Sequence, residues 1–333
     1  MPPTSTTESP AGTATAVSRS GTDTTSAALE QRGHGDIDVT QLPMTVVHAR
    51  RSFLRGFAQD ARDIWSYREL LTQLVRKELK VKYKDSVLGF FWTLVRPMIQ
   101  LVIYYVAFTL FLGNSQPAYA IFIFSGLVIW GLFTDIVGGC TGSIVGNGGL
   151  LKKTYFPREI FPLSVVGAAI VNFLFQMIVL GLALALAAVL GQRVVPTWDL
   201  GLVPLAFVVC IVWASALGVF LAAATVYLRD LQHLVDVILL ALFWLVPIVY
   251  AVTLPLNSFA ANGHQTLLTL YLANPMLNVI AAFQRAFYTM GPEYTFQANL
   301  WPRLAFFLVV GLGLLWLAQR YFARVQGDFA QEL

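Results

Sequence analysis

An all-α protein that crosses a membrane six times is predicted by three observations. Hydrophobic residues make up 57% of the 333, charged residues only 12%, and mean hydropathy is +0.67; a soluble domain carries about a quarter charged residues. The apolar residues gather into six runs, at about 87–112, 118–138, 163–190, 200–228, 231–252 and 304–322, each close to or above the roughly 20 residues that a helix needs to cross the hydrocarbon. Within the runs apolar residues follow one another without the alternation of a barrel strand, and an open sheet could not satisfy its backbone in lipid.

Residues 1–43 have a different composition. The stretch TSTTESPAGTATAVSRSGTDTTSAA is rich in Thr, Ser, Ala and Gly and has no apolar period, so a disordered tail is expected, and it lacks the apolar core of a signal peptide. Residues 44–86 lead into the membrane. In DIWSYRELLTQLVRKELKVKYK, residues 63–84, Tyr67, Leu70, Leu71, Leu74, Val75 and Leu79 recur at three- and four-residue steps opposite Arg68, Arg76, Lys77 and Lys80. That pattern predicts an amphipathic helix in the membrane interface, either a passive anchor or a surface for a partner subunit or pore. Residues 87–333 form the transmembrane domain.

Lysine and arginine set its orientation. Counting those near the spans, ten precede the first run (Arg50, Arg51, Arg55, Arg62, Arg68, Arg76, Lys77, Lys80, Lys82, Lys84), three fall between the second and third (Lys152, Lys153, Arg158), one between the fourth and fifth (Arg229) and two after the sixth (Arg320, Arg324). The opposite side has Arg193, Arg285 and Arg303. Both termini and residues 139–162 are therefore expected in the cytosol and the 253–303 connection outside, in a multi-pass protein of the cytoplasmic (inner) membrane. The net charge of +4 reads as topology and as attraction to anionic membrane lipid, and nucleic-acid binding is not indicated. The cytosolic loop NGGLLKKTYFPREIFP, residues 147–162, joins two lysines, an aromatic-proline step and an Arg-Glu pair between apolar runs. A docking element for a cytosolic partner is expected there.

Three charges lie inside the runs, where each costs a few kcal/mol unless paired or hydrated: Arg96, Asp135 and Asp236. All three fall in the inner third of their spans. An Arg96–Asp135 pair guarding the cytosolic entrance is within geometric reach, with snorkelling of Arg96 as the alternative. Arg229-Asp230 is expected to end the fourth span and cap the fifth. Asp230, His233 and Asp236 share a spacing of three, but no further ligand accompanies them and no metal site is expected. Cys140 and Cys210 imply no disulfide framework. Glycines at 138, 139, 142, 146, 148 and 149 suit close helix packing or a flexible exit from the second span. No residue grouping argues for catalysis.

The ordered segments SVLGFFWTLVRPMIQ (86–100), FSGLVIWGLF (124–133), NGGLLKKTYFPREIFPLS (147–164), YLRD (227–230), PIVY (247–250) and NPMLNVIAAFQRAF (274–287) resemble the signatures of ABC-2 type permeases that export polysaccharides. The resemblance spans nearly the whole chain after the tail. It implies a homodimer of six-helix subunits bound to two copies of a separate ABC ATPase subunit, moving O-antigen, teichoic acid or galactan carried on a polyprenyl lipid. No GxxxxGK[ST] occurs in this sequence, so no phosphate-cradling loop is present. No cofactor is expected on this chain, and ATP and Mg are expected at the partner subunit.

The resemblance also implies roles. The loop becomes a coupling helix seated in a groove of the ATPase, with Phe156 as an apolar knob, Lys152, Lys153, Arg158 and Glu159 as a charged rim, and Pro157 bounding a rigid turn. Sugars stack their C–H faces on aromatic rings, and Phe90, Phe91, Trp92, Tyr104, Tyr105, Phe108, Trp130 and Phe133 are candidates for a channel lining, against a lipid-facing aromatic belt. Tyr104, Phe108 and Phe111 fall on one α-helical face. In the outer connection, LLTLYLA (267–273) and MLNVIAAFQRAF (276–287), broken at Asn274-Pro275, are expected as re-entrant gate helices, with Pro275, Phe283 and Phe287 at the gate, or as packing caps without gating. An ABC-2 drug or lipid exporter shares this topology. A membrane transferase would need acidic or histidine groups facing the interface, and a secondary transporter would answer to an ion gradient.

Overall fold

The computed structural model describes residues 65–82, 92–111, 118–151, 156–191, 198–288, 299–327 and 329–332. The 1–43 tail, Phe90, Phe91, Lys152 and Lys153 lie outside these residues, as does the side chain of Arg96. Among the described residues every regular element is helical: α1 (Arg68–Lys82), α2 (Trp92–Tyr104) running into a π-helix (Tyr105–Phe111), α3 (Tyr119–Gly146), a turn α4 (Gly148–Leu151), α5 (Ile160–Val189), and, after a 3-10 turn at Trp198–Gly201, α6 (Leu202–Tyr227). Then follow α7 (Leu231–Leu245), α8 (Thr253–Ala261), α9 (Gln265–Leu272), α10 (Pro275–Phe287), α11 (Leu300–Val325) and α12 (Phe329–Glu332).

Helix α3 is apolar over most of its circumference, as befits the central helix of the bundle. In its most apolar 18-residue stretch 83% is buried, against 28% for α5 and 22% for α11, whose outer faces carry the exposed leucines and phenylalanines that suit lipid. Helices α5, α6 and α10 pack around α3, and α11 packs on α6. Close approach is possible where side chains are withdrawn. A Cβ on Gly218 of α6 would sit 2.8 Å from Cys140 Cβ of α3, and one on Gly167 of α5 would sit 2.7 Å from Val75 Cγ2 of α1. The latter contact brings the amphipathic α1 onto α5, so its apolar face is covered by this chain's own bundle.

Four helices are long and apolar enough to cross a membrane by themselves: α3, α5, α11 and Asp199–Tyr227. Two of the predicted spans take another form. The first is α2 with its π-helical continuation, and Pro97, inside α2, removes one donor from its ladder. The fifth is helical only to Leu245 and continues as the bends of 246–250. Its path still crosses: Gln232 packs against Gly142 of α3, and Val249 O accepts a hydrogen bond from Tyr119 Oη at the other end of α3. Those two marks are about 34 Å apart along α3 at 1.5 Å per residue. The 15 residues of α7 supply about 22 Å of this, and the bends of 246–249 cover the rest.

The bent stretch frees carbonyls inside the bundle, and each needs a donor. Buried Gln284 of α10 donates through Nε2 to Pro247 O at 2.8 Å and Ile248 O at 3.2 Å, while Tyr119 takes Val249 O at 2.7 Å. Phe122 packs its ring on Tyr288 at 5.3 Å. The chain thus leaves for α8–α10 at Val249 and returns at Tyr288 beside the same end of α3. The predicted break at Asn274-Pro275 is present as a 71° bend between α9 and α10. Asn274 caps α10, accepting from Met276 N at 2.9 Å, and Asn278 Nδ2 donates to Leu272 O and Asn274 O, carbonyls on either side of the bend.

Candidate functional site

At the basic end of the bundle, α1, α4, the segment after it and α12 converge on a second apolar cluster. Leu74, Ile144, Leu151, Phe156, Phe161, Val226, Phe322 and Phe329 are its large members. Phe156 corrects the expectation of a projecting knob. It is 8% exposed and meets Phe161 edge-on at 5.4 Å, because an exposed ring here would leave the cluster open at its floor. Pro157 and Arg158 are half-buried, and the Arg158 guanidinium lies 5.8 Å from the centre of the Phe329 ring, a cation–π contact. Glu159 is buried at the N-cap position of α5 without a side-chain capping bond. Among the described residues, Gly149 and Leu150 of α4 and the polar face of α1 are exposed in this region.

Lys77 of α1 donates from Nζ to Asn147 Oδ1, and Asn147 Nδ2 donates to Ser143 O at 2.8 Å. The interfacial helix is thereby hooked to the start of the loop 147–162. Neither the Lys77–Asn147 contact nor the role of Phe329 was read from sequence, because both join segments far apart in the chain.

Of the charges inside the spans, Asp135 and Asp236 are among the described side chains. Asp135 is half-buried between α3 and α5 and accepts from Asn172 Nδ2 at 3.4 Å. Asn172 was not anticipated; its signal was a lone amide in the apolar run of α5. Asp236 is exposed on α7, a helix with Val235 as its buried residue. Asp230 occupies the N-cap position of α7 as expected, but its side chain makes no capping hydrogen bond. No group of three or more His, Cys, Asp or Glu able to hold a metal occurs among the described residues.

The aromatic candidates fall into two sets. Trp130 and Phe133 are buried in the bundle, 5.4 Å apart, with Trp130 also 6.3 Å from Phe243 of α7. Tyr104, Phe108, Tyr119 and Phe122 form a ring-to-ring chain towards Tyr288, with centroids 5.3–6.3 Å apart. The one-face reading of Tyr104, Phe108 and Phe111 is corrected: the π-helix turns Phe111 away, and it is 82% exposed. Trp92 and Tyr105 are exposed.

At the other end, Pro275 opens α10, Phe283 is fully buried against Phe173 at 6.1 Å, and Phe287 lies 5.8 Å from Phe283. Arg285 pairs with Asp199 at 3.1 Å, tying the end of α10 to the start of α6. Gln284 and Asn278, which hold this region together, were legible only as two uncharged polar residues in a helix that is apolar apart from them and Arg285.

The model of the ABC-2 type transporter family matches residues 69–288. The O-antigen export system permease protein RfbA of Myxococcus xanthus is 33% identical over 272 residues, 82% of this chain and 98% of that protein. A protein of the same name from Klebsiella pneumoniae is 26% identical over 257 residues, covering 77% and 95% of the two chains. The polysialic acid transport protein KpsM of Escherichia coli is 22% identical over 242 residues, covering 72% and 88%. The matched segment runs from the amphipathic helix through the bent pair to Tyr288, and with that extent of agreement the chain belongs to the ABC-2 type transporter family.

Proposed function

We propose that this chain is the permease subunit of an exporter that moves a polyprenyl-linked polysaccharide across the cytoplasmic membrane. The observation that carries the reading is the match to a named O-antigen permease over 98% of that protein's length. The exporter works as a homodimer with two copies of a separate ATPase, which binds ATP and Mg; this chain binds no cofactor and catalyses no reaction. Support for a second copy comes from α7, where exposed Leu234, Val237, Ile238 and Trp244 surround exposed Asp236. A carboxylate there needs water or protein beside it. The basic end, with α1, α4, Pro157 and Arg158 over the Phe156 cluster, faces the cytosol and receives the ATPase. The bent α9–α10 pair, with Pro275, Phe283 and Phe287, gates the outer side.

The test is conditional depletion followed by mass spectrometry of lipid extracts, separating inner polyprenyl-linked glycan from exported polymer. Long glycan accumulating inside is the expected result and identifies the cargo. An unchanged glycan pool with altered lipid or drug efflux would replace this reading by an ABC-2 lipid or drug exporter.

A further inference from the structure

Helix α3 is buried almost all round, yet one stripe of it is not. Gly131, Thr134, Asp135, Gly138, Gly142 and Gly146 are half-buried or exposed, and steps of three, four and their multiples place them on one face. These six are small or polar, and half-buried Val145 lies among them on the same face. The stripe begins mid-helix and runs about 22 Å to the basic end. A Cβ added at Gly138 or Gly146 would meet nothing within 4 Å, so the space over the stripe is open at these points. Amides border it: Gln176 of α5 lies against Gly131, Gln232 of α7 lies against Gly142, and Asn172 of α5 donates to Asp135 between them.

A row of small residues by itself indicates helix packing. The Asn172 amide adds an independent observation, because the residue is 8% exposed and its Oδ1 has no hydrogen-bond partner. An acceptor held out of water without a donor costs about 1–3 kcal/mol, and hydroxyl groups are donors of the right kind.

Building on the export reading, we propose that this stripe is the inner half of the polymer track. Asp135, Asn172 and Gln176 exchange hydrogen bonds with sugar hydroxyls, while the glycines leave a floor without projecting side chains over which successive sugars slide. The amides offer both donors and acceptors, so hydroxyls of differing orientation are met by the same groups.

Gly138→Cys, made with Cys140 and Cys210 replaced by alanine, tests the placement in membranes holding the exporter with its ATPase. A charged methanethiosulfonate reagent is expected to label it from water, to lose access when lipid-linked glycan is loaded, and to block export once attached. Gly313→Cys on the outer face of α11, also exposed and without neighbours within 4 Å, is expected to react only with a membrane-permeant maleimide. Labelling of Gly138→Cys only by the permeant reagent, or its oxidation to a disulfide between two copies that still export, would overturn the track in favour of lipid contact or helix packing. Asn172→Leu supplies the second reading: abundance and melting temperature are expected to hold while export slows, and unchanged export would overturn the role of the amide. Absence of glycan export by the parent chain would instead remove the functional reading itself, whatever the labelling pattern.

Discussion

At the residue scale, the chain handles polar groups in an apolar bundle by giving them fixed partners. Gln284 is the main example, since its Nε2 serves two carbonyls that α7 abandons when it bends out of the helix. Gln284→Leu is expected to lower stability by about 1–3 kcal/mol, the range for leaving buried carbonyls without a donor, measured as a fall in the unfolding midpoint of the purified protein in detergent. An unchanged midpoint would mean that water reaches 246–250. The Arg285–Asp199 pair belongs at the other end of the scale. Both side chains are partly exposed, 32% and 23%, so a double-mutant cycle with Arg285→Ala and Asp199→Ala is expected to return a coupling of no more than about 1 kcal/mol. A larger coupling would show the pair to be desolvated.

At the element scale, the basic end shows why a sequence reading of a loop reaches only so far. Its composition marked the loop as a docking element, but the direction in which Phe156 faces depends on Phe161, Phe322 and Phe329, which lie next to it only after α5 and α11 have packed. The interfacial helix was legible for a simple reason: its apolar positions repeat every three or four residues and its basic ones lie opposite. Its attachment was not, because Gly167 and Asn147, which receive Val75 and Lys77, lie 92 and 70 positions further along the chain. The same difference separates two substitutions. Phe156→Ala is expected to destabilise the basic end by about 3–5 kcal/mol, as emptied aromatic sites do, and to lower the amount of folded protein. Arg158→Glu, on a half-buried guanidinium, is expected to leave membrane levels intact while export falls and the permease ceases to stimulate its ATPase. Comparing protein level, ATPase stimulation and export across the two variants tests this division, and full export by Arg158→Glu would remove the residue from the coupling surface.

At the scale of the whole molecule, composition marks six apolar runs where four helices are long and apolar enough to cross by themselves. Two crossings contain a defect, the π-helix after α2 and the bent end of α7, and hydropathy passes smoothly through both because their residues stay apolar. What composition could not give is whether the bent α9–α10 pair adds a seventh crossing, since its residues are apolar enough to qualify. The contacts of α3 favour a pair that does not cross. Val249 and Tyr288 both lie beside its Tyr119 end, so the pair departs and returns on one side, and α11 then runs from there to the basic end, where Phe322 joins Phe156 and Phe329 in the cluster. This geometry fixes the expected labelling of single cysteines by an impermeant maleimide. Ala261→Cys, exposed at the end of α8, is expected to react in intact cells. Gly149→Cys and Glu332→Cys, both exposed at the basic end, are expected to react only in opened membranes. Reaction of Glu332→Cys from outside, with Gly149→Cys still protected, would require the bent pair to cross. That result would overturn the gate assignment while leaving the family and the coupling surface untouched, because the crossings before α8 would be unchanged.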